Sequence, residues 1–171
     1  MKLKRMKIYT DGSSLGNPGS GGWGIIFLAN KKVMEKGYAY KNVTNNQMEL
    51  MALKRAMEIL VEKNVEGYEI EFMVDSKYVI DGIEKWIYSW IKNDWKKSDK
   101  KPVLNKELWQ GIYNPKKILE AKNKFLFTHV KAHNGEKFNE RVDDIARGFA
   151  ESGEVELFTG KEGGYFEFLG E

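Results

Sequence analysis

Cysteine is absent from the 171 residues, and histidine (two) and proline (three) are scarce. Without cysteine there is no disulfide, no thiolate nucleophile and no thiolate-bound zinc or iron–sulfur centre, which fits a reducing compartment. With only His129 and His133 to offer nitrogen, a metal site must be built mainly from oxygen ligands, a set suited to hard cations such as Mg²⁺ or Mn²⁺. No apolar run approaches the ~20 residues needed to cross a bilayer. Lys2, Lys4, Arg5 and Lys7 are not followed by the apolar stretch of a signal peptide. A cytoplasmic protein that avoids membranes is therefore expected. What remains is ordinary for a globular domain, at 42% hydrophobic and 31% charged, and long enough for one substantial core.

Positive charge is concentrated although the net charge is only +3. Residues 85–106 hold seven lysines against Asp94 and Asp99, a local excess of +5, so the rest of the chain carries −2. Trp86, Trp90 and Trp95 fall in the same stretch, interleaved with Lys96, Lys97, Lys100 and Lys101. A basic patch with flat aromatics suits a polyanion bearing stackable or sugar surfaces. The plainer alternative is a lysine-rich helix pair whose tryptophans pack together.

Patterning predicts strands at Met6–Thr10, Trp23–Leu28, Val33–Tyr40, Tyr68–Val74 and Phe125–Val130. The turn-rich run Asp11–Gly22 separates the first two. Helices are predicted at Asn45–Asn64, Ser76–Gly82, through the basic segment, at Lys106–Ala121 and at Asn139–Glu151. A hairpin followed by helix-linked strands implies an α/β fold with a mixed sheet, antiparallel first and parallel later. The last twenty residues suggest an edge strand around Tyr165–Phe168 or a loose tail.

Glu49 lies near the middle of the apolar arc of the Asn45–Asn64 helix, in its first turn. A carboxylate aimed inward is costly to desolvate unless a proton, a cation or several donors accompany it. The alternative is a capping box of Asn46 and Glu49, with Asn45 or Asn46 as N-cap. Asp11 and Asp75 each end a predicted strand. If those strands are parallel neighbours, both acids emerge at the carboxyl edge of the sheet, where open α/β folds place their sites. Asp143 flanks the apolar stripe of the final helix, whereas Asp144 points away from it. Four carboxylates directed to one locus need protons or divalent metal.

The blocks Thr10-Asp11-Gly12-Ser13, Gly16-Asn17-Pro18-Gly19, Thr44-Asn45-Asn46-Gln47-Met48-Glu49-Leu50 and Asp75-Ser76-Lys77-Tyr78-Val79 resemble type 1 ribonuclease H. So do Val130-Lys131-Ala132-His133-Asn134-Gly135 and Asn139-Glu140-Arg141-Val142-Asp143, in the same order over roughly residues 5–150. The resemblance implies a ribonuclease H-like five-stranded mixed sheet in a catalytic domain at 1–151. Residues 85–106 would be the basic protrusion of the bacterial form, and 152–171 a C-terminal extension. It implies a monomer that cleaves the RNA strand of RNA–DNA hybrids with two Mg²⁺ ions, Mn²⁺ substituting, and leaves 3′-hydroxyl and 5′-phosphate ends.

Asp11, Glu49, Asp75 and Asp143 match the family's metal-binding acids, and His133 matches its loop histidine. Gly12, Ser13, Ser14, Asn17, Asn45 and Lys77 match positions that contact the RNA strand, where 2′-hydroxyls distinguish RNA from DNA. Thr44 and Asn105 match a pocket for a DNA phosphate, with Trp86, Trp90 and Lys96, Lys97, Lys100 and Lys101 extending that track. Three positions depart from the pattern. Asn42 stands where an arginine often completes the phosphate pocket, Lys77 replaces a common glutamine, and Ala132 replaces a common glycine beside His133. Two rivals remain: a transposase-like or junction-cleaving nuclease on the same fold, and a non-catalytic nucleic-acid-binding module.

Overall fold

A computed structural model describes residues 2–131 and 135–171. Strands β1 (Lys4–Ser14), β2 (Gly19–Ala29) and β3 (Lys32–Val43) form an antiparallel meander, followed by α1 (Asn45–Glu62). Strand β4 (Tyr68–Val74) then pairs parallel to β1, with Thr10 opposite Val74. Helix α2 (Lys77–Asp81) continues through one π-helical turn (Gly82–Trp86) into α3 (Ile87–Lys92), and α4 (Lys106–Glu120) follows the basic loop. Strand β5 (Lys124–His129) pairs parallel to β4, and α5 (Lys137–Ser152) crosses the sheet. The chain closes with β6 (Thr159–Lys161) and α6 (Glu162–Phe168). The sheet order is β5-β4-β1-β2-β3-β6.

The mixed sheet is as expected, with six strands where five were expected. The sixth comes from the C-terminal extension, but not at Tyr165–Phe168, which is helical. Residues Thr159–Lys161 make the edge instead, antiparallel to Lys32–Met34 of β3. Tyr165 turns inward from α6 and is fully buried.

Strand alternation sorts the core onto the two faces of the sheet. Ile8, Ile25, Ile70 and Phe72 meet the apolar side of α1 and Trp109 of α4, all of them buried. On the other face Tyr9, Ile26 and Val33 meet Val142 and Ile145 of α5 and Tyr165. Fully burying each large aliphatic side chain contributes about 1.5–3 kcal/mol.

Glu35, near the start of β3, is a buried carboxylate within this second face. It accepts from Arg141 Nε and Nη2 (both 2.8 Å), Tyr165 Oη (2.7 Å) and the backbone nitrogen of Phe158 (2.9 Å). A buried charge is tolerable only when paired and fully hydrogen-bonded. This junction fastens the C-terminal extension to β3 and α5.

Candidate active site

Parallel pairing of β1 and β4 ends at Thr10 and Val74, so Asp11 and Asp75 follow side by side. Strand β4 stops there as expected, but β1 does not end at Asp11 and runs on to Ser14, held by its pairing with β2. Glu49 reaches them from α1, and close approach at Gly12 allows it. A Cβ on Gly12 would lie 2.2 Å from the backbone nitrogen of Glu49. Only glycine lets β1 and the start of α1 approach this closely. The N-cap of α1 is Thr44, not Asn45 or Asn46: its Oγ1 accepts from Gln47 N (3.1 Å), and Gln47 Oε1 accepts from Thr44 N (2.9 Å). With the capping box filled by Thr44 and Gln47, Glu49 is released to point inward.

Asp11, Glu49 and Asp75 each offer a carboxylate oxygen within 4.8 Å of the other two. Asp11 and Glu49 are 3% and 6% exposed. Burial, and then the charge of Asp75, push the Asp11 carboxyl well above the usual range. Burial and the charge of Asp11 do the same for Glu49, and burial with the charge of Asp143 raises Asp75. Each ionised pair at this spacing repels by about 3.5 kcal/mol at an effective dielectric near ~20. Gly12 N donates to Asp11 Oδ1 (2.9 Å), but Glu49 Oε2 has no hydrogen-bond partner among the described residues. A buried, unpartnered carboxylate oxygen among three converging acids fits a hard divalent cation.

Asp143 stands apart from this trio. It lies at the rim on α5, its side chain 29% exposed against 58% for Asp144, as the helical pattern predicts. Helix α5 packs directly on the backbone of β2, because a Cβ on Gly24 would meet Ile145 Cγ2 at 2.8 Å. The charge of Asp143 acts on Asp11 and Asp75, while its own carboxylate is held by Arg147 Nε at 2.8 Å. His133, Ala132 and Asn134 lie outside the described residues.

The residues matched to strand binding lie on several elements. Asn17 Oδ1 accepts from the backbone nitrogen of Asn45 (3.0 Å), fastening the β1–β2 turn to the start of α1. Ser14 Oγ donates to Gly16 O, Ser13 is half-buried in β1, and Lys77 is exposed at the start of α2. Asn105 adopts a left-handed conformation (φ 59°) and donates from Nδ2 to Tyr78 Oη at 3.3 Å. Trp90 packs against Trp86, Trp95 and Trp109 with ring centroids 5.2–6.2 Å apart, so the tryptophans do pack together. Trp86 remains exposed, and Trp90 shares a cleft of about 730 Å³ with Lys96, Lys97 and Lys100. The plainer expectation for this segment therefore holds in its packing, and the lysines beside the cleft are exposed.

Sequence reasoning gives His129 no role beyond exposure. The structure sets its Nε2 2.9 Å from the main-chain oxygen of Asp75. No local pattern signals this, because the contact depends on the β4–β5 register. Glu35 was missed as well, although its alternation with buried Val33 marks an inward-facing acid.

The fold is α/β, with acids gathered at the carboxyl edge of its central strands. The RNase H family model matches residues 3–151. A Ribonuclease H of Mesorhizobium japonicum is 44% identical over 144 residues, 84% of this chain and 77% of its own length. LC9-RNase H1, described as a type 1 RNase H with the type 2 active-site motif, shares the fold at a TM-score of 0.82. It is 22% identical, over 100% of this chain and 83% of its own. LC11-RNase H1 in complex with an RNA/DNA hybrid aligns with a TM-score of 0.60 at 26% identity, over 84% of this chain and 94% of its own. The chain belongs to the ribonuclease H family, whose members are metal-dependent nucleases.

Proposed function

We propose that this chain is an endoribonuclease that hydrolyses the RNA strand of RNA–DNA hybrids. Asp11, Glu49, Asp75 and Asp143 would hold two Mg²⁺ ions, with Mn²⁺ able to substitute. The observation that carries the reading is the trio of carboxylates within 4.8 Å of one another. Family membership and the hybrid complex of LC11-RNase H1 support the substrate.

When bound, the cations activate a water and offset charge on the leaving oxygen. The water oxygen bonds to phosphorus as the P–O3′ bond breaks, and the 3′ oxygen takes a proton. The products end in 3′-hydroxyl and 5′-phosphate groups. Asp11 and Glu49 would be held together by the close β1–α1 approach at Gly12, and their raised carboxyls would give up protons to the cations. His133 is assigned proton handling from its match to the family's loop histidine. The Asn17–Asn45 pair and Lys77 face the RNA strand, while Thr44, Asn105 and the lysines of 96–101 track the DNA strand. The protein works as a monomer in the cytoplasm.

Cleavage assays with Mg²⁺ on an RNA–DNA hybrid, double-stranded RNA and a four-way DNA junction test this. Cutting confined to the RNA of the hybrid is expected. Junction cutting instead would move the protein to the transposase-like rivals, and tight hybrid binding without cleavage would make it a binding module.

A further inference from the structure

Helix α5 carries Asp143, and its first turn is held in an unusual way. Its N-cap is Glu136, whose Oε2 accepts from the backbone nitrogen of Asn139 at 2.7 Å. Asparagine, aspartate, serine and threonine are the usual caps, because their short side chains reach the free amides with little freedom to lose. A glutamate has one more rotatable bond and needs a second hold to stay in place. Tyr9 supplies it: its hydroxyl donates to Glu136 Oε1 at 3.1 Å. The Tyr9 ring also lies 5.5 Å from that of Phe138, which stacks on Tyr165 from the other side.

We infer that Tyr9 and Glu136 are a positioning pair, in which the hydroxyl on β1 fixes the start of α5 and so sets the reach of Asp143 toward the cation site. The inference rests on the proposed metal role of Asp143. Tyr9 is 3% exposed and lies two residues before Asp11, on the same face of β1. A phenylalanine would fill the same apolar space, so the hydroxyl serves Glu136. Asp143 follows Glu136 by seven residues, two helical turns, and therefore sits above it on the same face. It is not seated in the buried trio, and its described partner is the half-exposed Arg147 of its own helix. The placement of α5 as a body thus decides how near Asp143 comes to Asp11 and Asp75.

The experiment compares wild type, Tyr9→Phe, Glu136→Gln, Glu136→Ala and Ile112→Val, the last a core change in α4 away from α5. Mn²⁺ affinity is read by calorimetry without nucleic acid, and amide exchange at Asn139 and Glu140 by nuclear magnetic resonance. The Mg²⁺ dependence of cleavage is measured alongside. Tyr9→Phe should weaken Mn²⁺ binding and raise the Mg²⁺ needed for half-maximal cleavage by about tenfold, within the range found for residues that orient metal ligands. Exchange at Asn139 should quicken with it. Glu136→Gln, which keeps an acceptor, should lie between wild type and Glu136→Ala. Ile112→Val should lower the melting temperature while leaving metal affinity and Asn139 exchange at wild-type values. Unchanged Mn²⁺ affinity in Tyr9→Phe, or an equal loss in Ile112→Val, would overturn the inference. Failure of the metal reading looks different: wild type itself would then give no heat with Mn²⁺.

Discussion

The α-carbon of Gly12 and the backbone nitrogen of Glu49 are so close that a single methyl group between them would lie 2.2 Å from that nitrogen. This contact places a strand-borne and a helix-borne carboxylate in one site. Gly12→Ala should destabilise the protein by at least the upper part of the ~1–3 kcal/mol typical of overpacking, because the opposing atoms are backbone and cannot rotate away. Denaturant unfolding checks the loss, and it should be accompanied by weaker Mn²⁺ binding. A variant of wild-type stability would mean that α1 can shift without consequence.

Removing charge from the trio should abolish turnover and stabilise the metal-free protein. Asp11→Asn ends the repulsion of Asp75 and Glu49, each pair being worth about 3.5 kcal/mol at ~20 dielectric when fully ionised. The native trio binds protons more tightly than the unfolded chain does. Its contribution to stability therefore rises as pH falls through the raised native values, and is complete near the unfolded values of about 4. Melting temperatures in chelator across pH should show wild type losing ground to Asp11→Asn as pH increases. Parallel curves would contradict the shifts.

Asp143 and Asp144 are adjacent, and both meet Arg147, yet they should differ in effect. Asp143→Asn should impair Mg²⁺-supported cleavage severely, whereas Asp144→Asn should leave it largely intact. The reverse ranking would require α5 to be rotated from its observed register.

Neutralising Lys96, Lys97, Lys100 and Lys101 should weaken hybrid binding and flatten its salt dependence. The log–log slope should fall by roughly one for each phosphate that a lysine no longer neutralises. Lys96 and Lys97 have acidic neighbours at 3.8 and 3.7 Å, weak exposed pairs that phosphate can replace. An unchanged slope would make the segment purely structural.

Glu35→Ala should destabilise by about 3–5 kcal/mol, because it strands the guanidinium of Arg141 and releases Tyr165 and Phe158. Cutting the chain after Ser152 should have a related effect by uncovering Ile26 and Val33. Thermal melting of both variants checks this. A truncated chain as stable as the whole would mean that the extension contributes no net packing energy.

The sequence by itself determined that a metal site would be built mainly from oxygen ligands and that Asp11, Glu49 and Asp75 could converge. It also determined the order of the five strands and main helices, and that Asp143 is less exposed than Asp144. Each is written in residue type or in a local period of two or 3.6, which backbone geometry converts directly into a face. Taken alone, Glu49 is balanced in the sequence between capping and pointing inward; the other acids and the family motif favour the second, and in the structure Thr44 and Gln47 fill the cap. The extension could not be read from its aromatic alternation, because Thr159–Lys161 becomes a strand only against β3 and Tyr165 turns inward to meet Glu35. The partners of His129, Tyr9 and Glu35 lie 54, 127 and as many as 130 residues away along the chain. Only the tertiary structure decided these contacts, since they depend on strand register and on how the helices sit on the sheet, and neither is encoded within a local window.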